Sequence, residues 1–357
     1  MTISVFDHPI LSGLLGDEEL AQLFSARAEI DALLRFEAAL AEAQAEEGVI
    51  PAASARAIAG MLESFSPDVS ALRTGVASDG VVMPALIAQV REKLGAKHAA
   101  HFHFGATSQD AIDTGLAIRL STAMGLVAAR LDRLVEALDA LERRDGATPV
   151  MAHTRMQAAI PVLAARKIRS WREPLMRHRA RLESVAKSAA VLTFGGAAGT
   201  LDKLGDKGPP VAARLAKALG LNLVARARHS ERDGIADLAS FLSLTTGSLG
   251  KMGQDVALMA QSEMGEVKLA QGGGSSAMPH KQNPVKAETL LTLARFNATL
   301  LPGMHHALVH ENERSGAAWT LEWMLLPQMV VATGAALRLA TELAGGISFT
   351  ARKTDGR

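Results

Sequence analysis

Residues 107–146 read TSQDAIDTGLAIRLSTAMGLVAARLDRLVEALDALERRDG, and this stretch decides the fold. Thr107 followed by Asp110 fits a helix capping box, and the next stop signal is Gly146. The spacing predicts one very long helix. Val127, Leu131, Leu134, Leu138 and Leu141 alternate steps of four and three along it, the seam of a left-handed helical bundle. Ile235, Leu238, Leu242, Thr245, Leu249, Met252, Val256 and Met259 repeat the alternation and predict a second long helix over residues 233–271. A third, broken helical region is expected over 284–310 and a fourth over 319–343. At about 1.5 Å per residue, helices of this length reach roughly 50 Å, more than a compact domain of this mass needs. Assembly of copies through the bundle is therefore expected.

Composition agrees with an all-α protein. Aromatic residues make up 4% of the chain and tyrosine is absent, while alanine and leucine are abundant. Shorter helices are expected over 25–47, 53–62 and 81–94, closed by Gly48 with Pro51, by Ser66 with Pro67, and by Gly95. These pieces predict an N-terminal domain over 1–98, a central bundle over 99–349 and a short polar tail over 350–357. Arg27, Glu29 and Glu37 are expected on the outer, charged face of the first long N-terminal helix, and residues 200–210 read as a surface connection. No cysteine occurs, which excludes disulfides and thiolate metal sites and fits a reducing cytoplasm. A net charge of +1 gives no global pull toward nucleic acid or membrane, so an anionic ligand must be held by local cations. The start lacks a basic region followed by a long apolar core, and the longest apolar stretches are interrupted by Gly, Pro and Gln. Neither a secretory signal nor a membrane span is expected. His306 and His310 lie one turn apart without a third ligand, and no phosphate loop or dinucleotide fingerprint is present, so neither metal nor cofactor is expected.

Candidate chemistry is concentrated in four stretches. HFHFGATSQD, residues 101–110, sets His103, Thr107, Ser108 and Gln109 at the start of the long helix, where free N–H groups and the helix dipole suit an anion. MAHTRMQAAIP, residues 151–161, carries His153, Thr154, Arg155 and Gln157 ahead of the next helix. GGGSSAMPHKQNPVKAE, residues 272–288, joins three glycines to two hydroxyls, a Met-Pro turn, Lys281 and Asn283. A plain linker has no need of Met278, Pro279, Lys281 and Asn283 at those offsets, so this reads as a mobile loop carrying chemistry. HENERSGAAWTLEWMLLP, residues 310–327, contributes Arg314.

The first three stretches resemble the three signature regions of the fumarase/aspartase superfamily. Residues 310–327 and the opening FDHPILSGLLGDEEL resemble its bacterial 3-carboxy-cis,cis-muconate lactonizing branch. The resemblance covers essentially the whole chain, which stops after the fourth long helix without the small C-terminal helical domain of longer members. It implies an all-α fold around a long-helix bundle, and a homotetramer whose active sites draw on several subunits. The implied chemistry adds or removes a group β to a carboxylate through a dianionic aci-carboxylate. Ser275 occupies the usual acid/base position, and Lys281 and Asn283 would stabilise the developing charge. His103, Thr107, Ser108, Gln109, Thr154, Gln157, Ser276, Met278 and Arg314 would contact substrate. One departure matters: the family's general-acid histidine is replaced by Arg155, which leaves Glu288 without its usual partner, with Arg155 the candidate substitute, and makes the adjacent His153 a further catalytic candidate; Arg155 and Glu288 are also expected to contact substrate. Arginine there suits an extra carboxylate. The resemblance implies a cytoplasmic cycloisomerase that closes 3-carboxy-cis,cis-muconate to 4-carboxymuconolactone in protocatechuate breakdown, the β-ketoadipate route, without cofactor. The alternatives are an adenylosuccinate lyase-like β-elimination enzyme and a non-catalytic helical scaffold of the same fold.

Overall fold

Two short helices, α1 (Ser12–Leu15) and α2 (Glu18–Gln22), precede the first long one, α3 (Ala26–Glu46), where Ser25 Oγ accepts the Ala28 N–H as N-cap. Then follow α4 (Ala52–Leu62), α5 (Val69–Asp79), α6 (Met83–Leu94) and α7 (Ala96–Ala99). The structure, a computed structural model, describes residues 3–270, 272–274, 278 and 281–351. The capping signal sets the start of α8 (Ser108–Asp145), 38 residues long, with the Thr107 N–H donating to Asp110 Oδ2 at 3.0 Å. Its five seam residues, Val127 to Leu141, are at most 2% exposed.

An antiparallel hairpin of β1 (Pro149–Thr154) and β2 (Gln157–Leu163) turns the chain into α9 (Ala164–Ala189). After α10 (Gly208–Leu219), helix α11 (Asp233–Met259) returns along the bundle. The expected helix to residue 271 stops twelve residues early: Gly265 turns left-handed at φ 57°, and β3 (Val267–Leu269) leaves the helical path. Helices α12 (Val285–His306) and α13 (Ala317–Gly346) complete the bundle, and β4 (Ile347–Phe349) pairs antiparallel with β3. Thr350 continues that contact by donating to Gly265 O and Glu266 O, and the expected tail lies outside the described residues from 352 on.

Close packing of α11 on α12 depends on Gly253, where a β-carbon would stand 2.4 Å from Ala287 O. One core cluster fills the bundle. The other joins α3, α4 and α6 to Leu192, Phe194, Val211 and Leu215, so the N-terminal helices share their core with a segment from the middle of the chain. Helices α8 and α13 each hold an 18-residue window apolar enough to cross a membrane, yet 72% and 67% of those windows are buried within the protein. They are core helices. Three expectations need correction. Helices α5 and α10 went unpredicted, and the helix expected after residue 161 was given no bounds, since α9 is rich in arginine and lysine and contains Pro174. Residues 200–210 include the start of α10. Glu37 is buried, 1% exposed, beneath residues 101–104 rather than on the outer face of α3.

Candidate active site

The N-terminus of α8 forms one wall of a cleft of about 910 Å³, lined by Thr107, Ser108, Gln109, Arg314, Trp319 and Trp323. Anchoring begins with Asp110, fully buried, whose Oδ1 accepts from Gly195 N–H at 2.9 Å and lies 2.7 Å from His229 Nε2. Its Oδ2 accepts from Gly196 and Thr107 N–H. Gly196 has φ 69°, which lets the backbone bend over the carboxylate. Gln109 is likewise buried, and its Nε2 donates to Asp113 and to His229 O while Oε1 accepts from Arg314 Nε at 2.8 Å. With its amide fully used by protein groups, Gln109 acts on the cleft by aiming Arg314.

Behind this wall Arg232 bridges Asp113 and Glu322, at 2.7 and 2.5 Å, and the Trp319 indole donates to Asp113. Burial opposes the charge on Arg232, but Asp113 and then Glu322 outweigh it and hold the guanidinium firmly protonated. The same pairing holds Glu322 below the usual carboxylate range against the opposing effect of burial, with His310 Nε2 a further 3.6 Å away. Helix α12 ends at His306, so His306 and His310 do not share one helical face. His103, four residues before Thr107, lies 2.5 Å from Glu37. Burial alone would lower its affinity for the proton, but Glu37 and then Asp110 outweigh that and raise it above the ordinary value.

The other sequence candidates lie at the opposite end of the bundle. Thr154, Arg155 and Gln157 are exposed around the hairpin tip, where Arg155 and Met156 both adopt left-handed conformations, φ 47° and 67°. Two such residues form the tight turn a two-residue hairpin favours, at a conformational cost of about 1–2 kcal/mol each for residues with a β-carbon. His153 Nδ1 is 3.2 Å from Met151 O, and its side chain borders a second cleft with Arg155, Arg166, Lys167, Lys251 and Asp255. Lys281 is exposed, and Asn283 is held by paired backbone hydrogen bonds with Gly273 at 2.9 Å. Met278 is 43% exposed. Glu288 is exposed in the first turn of α12, and among the described residues no ion pair joins it to Arg155. Lys286 is engaged by Glu342. Ser275 and Ser276 lie outside the described residues. Ser108 opens and Asp145 closes α8, a span of about 55 Å, and because Phe349 N–H donates to Asp145 while β4 pairs with β3, the two groups of candidates lie toward its opposite ends within one chain.

Residues 17–298 match the family described as lyase. The chain belongs to that family. Among relatives of this lyase, the 3-carboxy-cis,cis-muconate cycloisomerase of Pseudomonas aeruginosa is 40% identical over 337 residues, 93% of this chain and 73% of that protein. The 3-carboxy-cis,cis-muconate cycloisomerase of Bradyrhizobium diazoefficiens is 38% identical, covering 97% of this chain and 78% of that one. The crystal structure of the 3-carboxy-cis,cis-muconate lactonizing enzyme from Pseudomonas putida superposes with a TM-score of 0.90 at 36% identity, over 96% of this chain and 78% of that one. The all-α bundle of this lyase is thus the fumarase/aspartase-like fold. Sequence reading missed Glu37, Asp113, His229, Arg232 and Glu322; the ERD run at 231–233 was the available signal, but nothing local names its partners.

Proposed function

We propose that this lyase is a cycloisomerase that closes 3-carboxy-cis,cis-muconate to 4-carboxymuconolactone, in the cytoplasm, as a homotetramer with shared active sites. The observation that carries the reading is the 40% identity, over 93% of the chain, to a relative named for that substrate. In the reaction one carboxylate oxygen bonds to a carbon of the conjugated double bond. The displaced electron pair moves toward the neighbouring carboxylate, which becomes dianionic, and a proton then goes to the carbon beside it. The step takes up one proton, which the donor recovers from water, and needs no oxidant or reductant.

Thr107 and Ser108 at the helix N-terminus, with His103 and Arg314, hold carboxylates. Arg155, carried on the strained hairpin tip beside Thr154 and Gln157, holds another. Lys281 and Asn283 stabilise the dianion, and Ser275, with Ser276 and Met278 in the same loop, is the proton donor, with His153 as the alternative. Candidates toward opposite ends of a helix about 55 Å long cannot close on one small molecule within one chain, so each site is built where the hairpin end of one copy meets the α8 N-terminus of another. Exposed apolar side chains on the hairpin, Met156 at 75%, Ile160 at 65% and Leu163 at 53%, favour such a contact. A direct absorbance assay with 3-carboxy-cis,cis-muconate, adenylosuccinate and a panel of unsaturated polycarboxylates tests the reading. Preferred turnover of any other member of the panel rejects it, and Ser275→Ala is expected to lower kcat roughly 10²-fold.

A further inference from the structure

We infer that Glu37 is a positioning residue that holds His103 as an imidazolium beside the N-terminus of α8, so that the first motif presents a fixed cation to a substrate carboxylate. The inference rests on the reading of His103 as a carboxylate contact. Glu37 reaches across from α3, 66 residues away in sequence, and sets Oε1 2.5 Å from His103 Nδ1. The Glu37 side chain is wholly enclosed, and its Oε2 has no hydrogen-bond partner. An enclosed carboxylate with an idle oxygen is tolerated when a cation faces it, and His103 is that partner. Because Nδ1 is committed to Glu37, Nε2 is the ring nitrogen left for a ligand.

The backbone around His103 is also held. His103 has φ 58°, a left-handed conformation costing about 1–2 kcal/mol for a residue with a β-carbon. The carbonyl on one side, Phe102 O, accepts from Arg91 Nη2 at 3.0 Å, and that on the other, Phe104 O, accepts from Gln44 Nε2 at 2.6 Å. Three side chains from two elements, Glu37 and Gln44 of α3 and Arg91 of α6, therefore grip three consecutive residues. The charged groups facing the imidazole are Glu37 from α3, Asp110 from α8 and Arg91 from α6, two carboxylates against one guanidinium. Their balance favours the cation over the opposing effect of burial.

The test is a histidine NMR titration of the full chain, with the His103 signal assigned by its loss in His103→Gln. In the unmodified chain His103 should titrate above the ordinary 6.5. It should fall by about one pH unit or more in Glu37→Gln and recover in part in Glu37→Asp. Near pH 8, Glu37→Gln should raise KM for the tricarboxylate roughly tenfold with kcat within about threefold, the difference shrinking as pH falls below the titration of His103 in that variant. Titration of His103 at or below its ordinary value in the unmodified chain overturns the inference without requiring any variant to fold. So does a Glu37→Gln titration equal to that of the unmodified chain. Because the titration needs no substrate, absence of cycloisomerase turnover rejects the functional reading alone, and the state of the pair is still decided.

Discussion

Arg314 Nε donates to Gln109 Oε1 at 2.8 Å, a bond that joins residues 205 positions apart and fixes the fourth motif against the first within a single copy. Arg314 itself is exposed to the cleft, while Gln109 is buried, so the proposed site has Arg314 meet the ligand and Gln109 aim it. Arg314→Met is expected to lower kcat/KM roughly ten- to a hundredfold, the loss of a charged hydrogen bond worth about 1.5–3 kcal/mol. Gln109→Met should raise KM with a smaller change in kcat. Steady-state kinetics of both variants check this, and an unchanged KM in both removes Arg314 from the site.

Thr107 and Lys281 stand at opposite ends of the bundle, and the proposed assembly makes them neighbours only between copies. Thr107→Val and Lys281→Met should each be nearly inactive alone and should regain part of the activity when unfolded and refolded together. Solution mass should correspond to a tetramer. An active monomer contradicts the shared site.

Arg155 is presented on a turn that favours residues free to adopt positive φ, a sign that its guanidinium is wanted there. Arg155→Lys keeps the charge without the planar fork and should retain partial activity, whereas Arg155→Met should lose roughly ten- to a hundredfold in kcat/KM. Arg155→His should impair lactonization without creating efficient lyase activity. Kinetics of Lys and Met variants equal to those of the unmodified chain would assign Arg155 to the protein scaffold.

Arg232 neutralises two buried carboxylates, Asp113 and Glu322, immediately behind the cleft. Arg232→Met leaves both uncompensated and is expected to cost about 3–5 kcal/mol of stability, read as a lower midpoint in chemical denaturation. Adding Asp113→Asn and Glu322→Gln to Arg232→Met should recover part of that loss.

Asp145 ties the end of α8 to the final strand by accepting from Arg144 and from the Phe349 N–H at 2.9 Å. The Arg144 guanidinium first, and the Phe349 amide after it, hold the Asp145 carboxyl below its ordinary 3.8 against a smaller opposing effect of burial. A depressed carboxyl gives stability that is fully present above the ordinary value and is lost as pH falls through the lower value of the folded chain. Hydrogen exchange should show Phe349 protected above about pH 4 and increasingly open below it, and Asp145→Asn should flatten that dependence.

The long helices of α8, α11, α12 and α13 were legible because capping, stop signals and three-four alternation are properties of residues within a few positions of one another. The signature stretches were legible for the same reason, and with them the family. Local patterns could not assign Glu37, since a glutamate on an amphipathic helix reads as a solvent-facing charge until His103, 66 residues on, is packed over it. Nor could they show that the turn at Arg155 and Met156 is left-handed without glycine or asparagine, or that Gly265 and the β3–β4 pair cut α11 short. The distance between the first motif and the hairpin was implicit in the helix connecting them, but its consequence needed the direction of every later helix. Periodicity is set by covalent neighbours, whereas the charge state and exposure of a side chain are set by whatever distant segment is folded against it; for this lyase the sequence alone therefore determined the bundle, and the tertiary structure decided which of its polar residues line the cleft and which face each other.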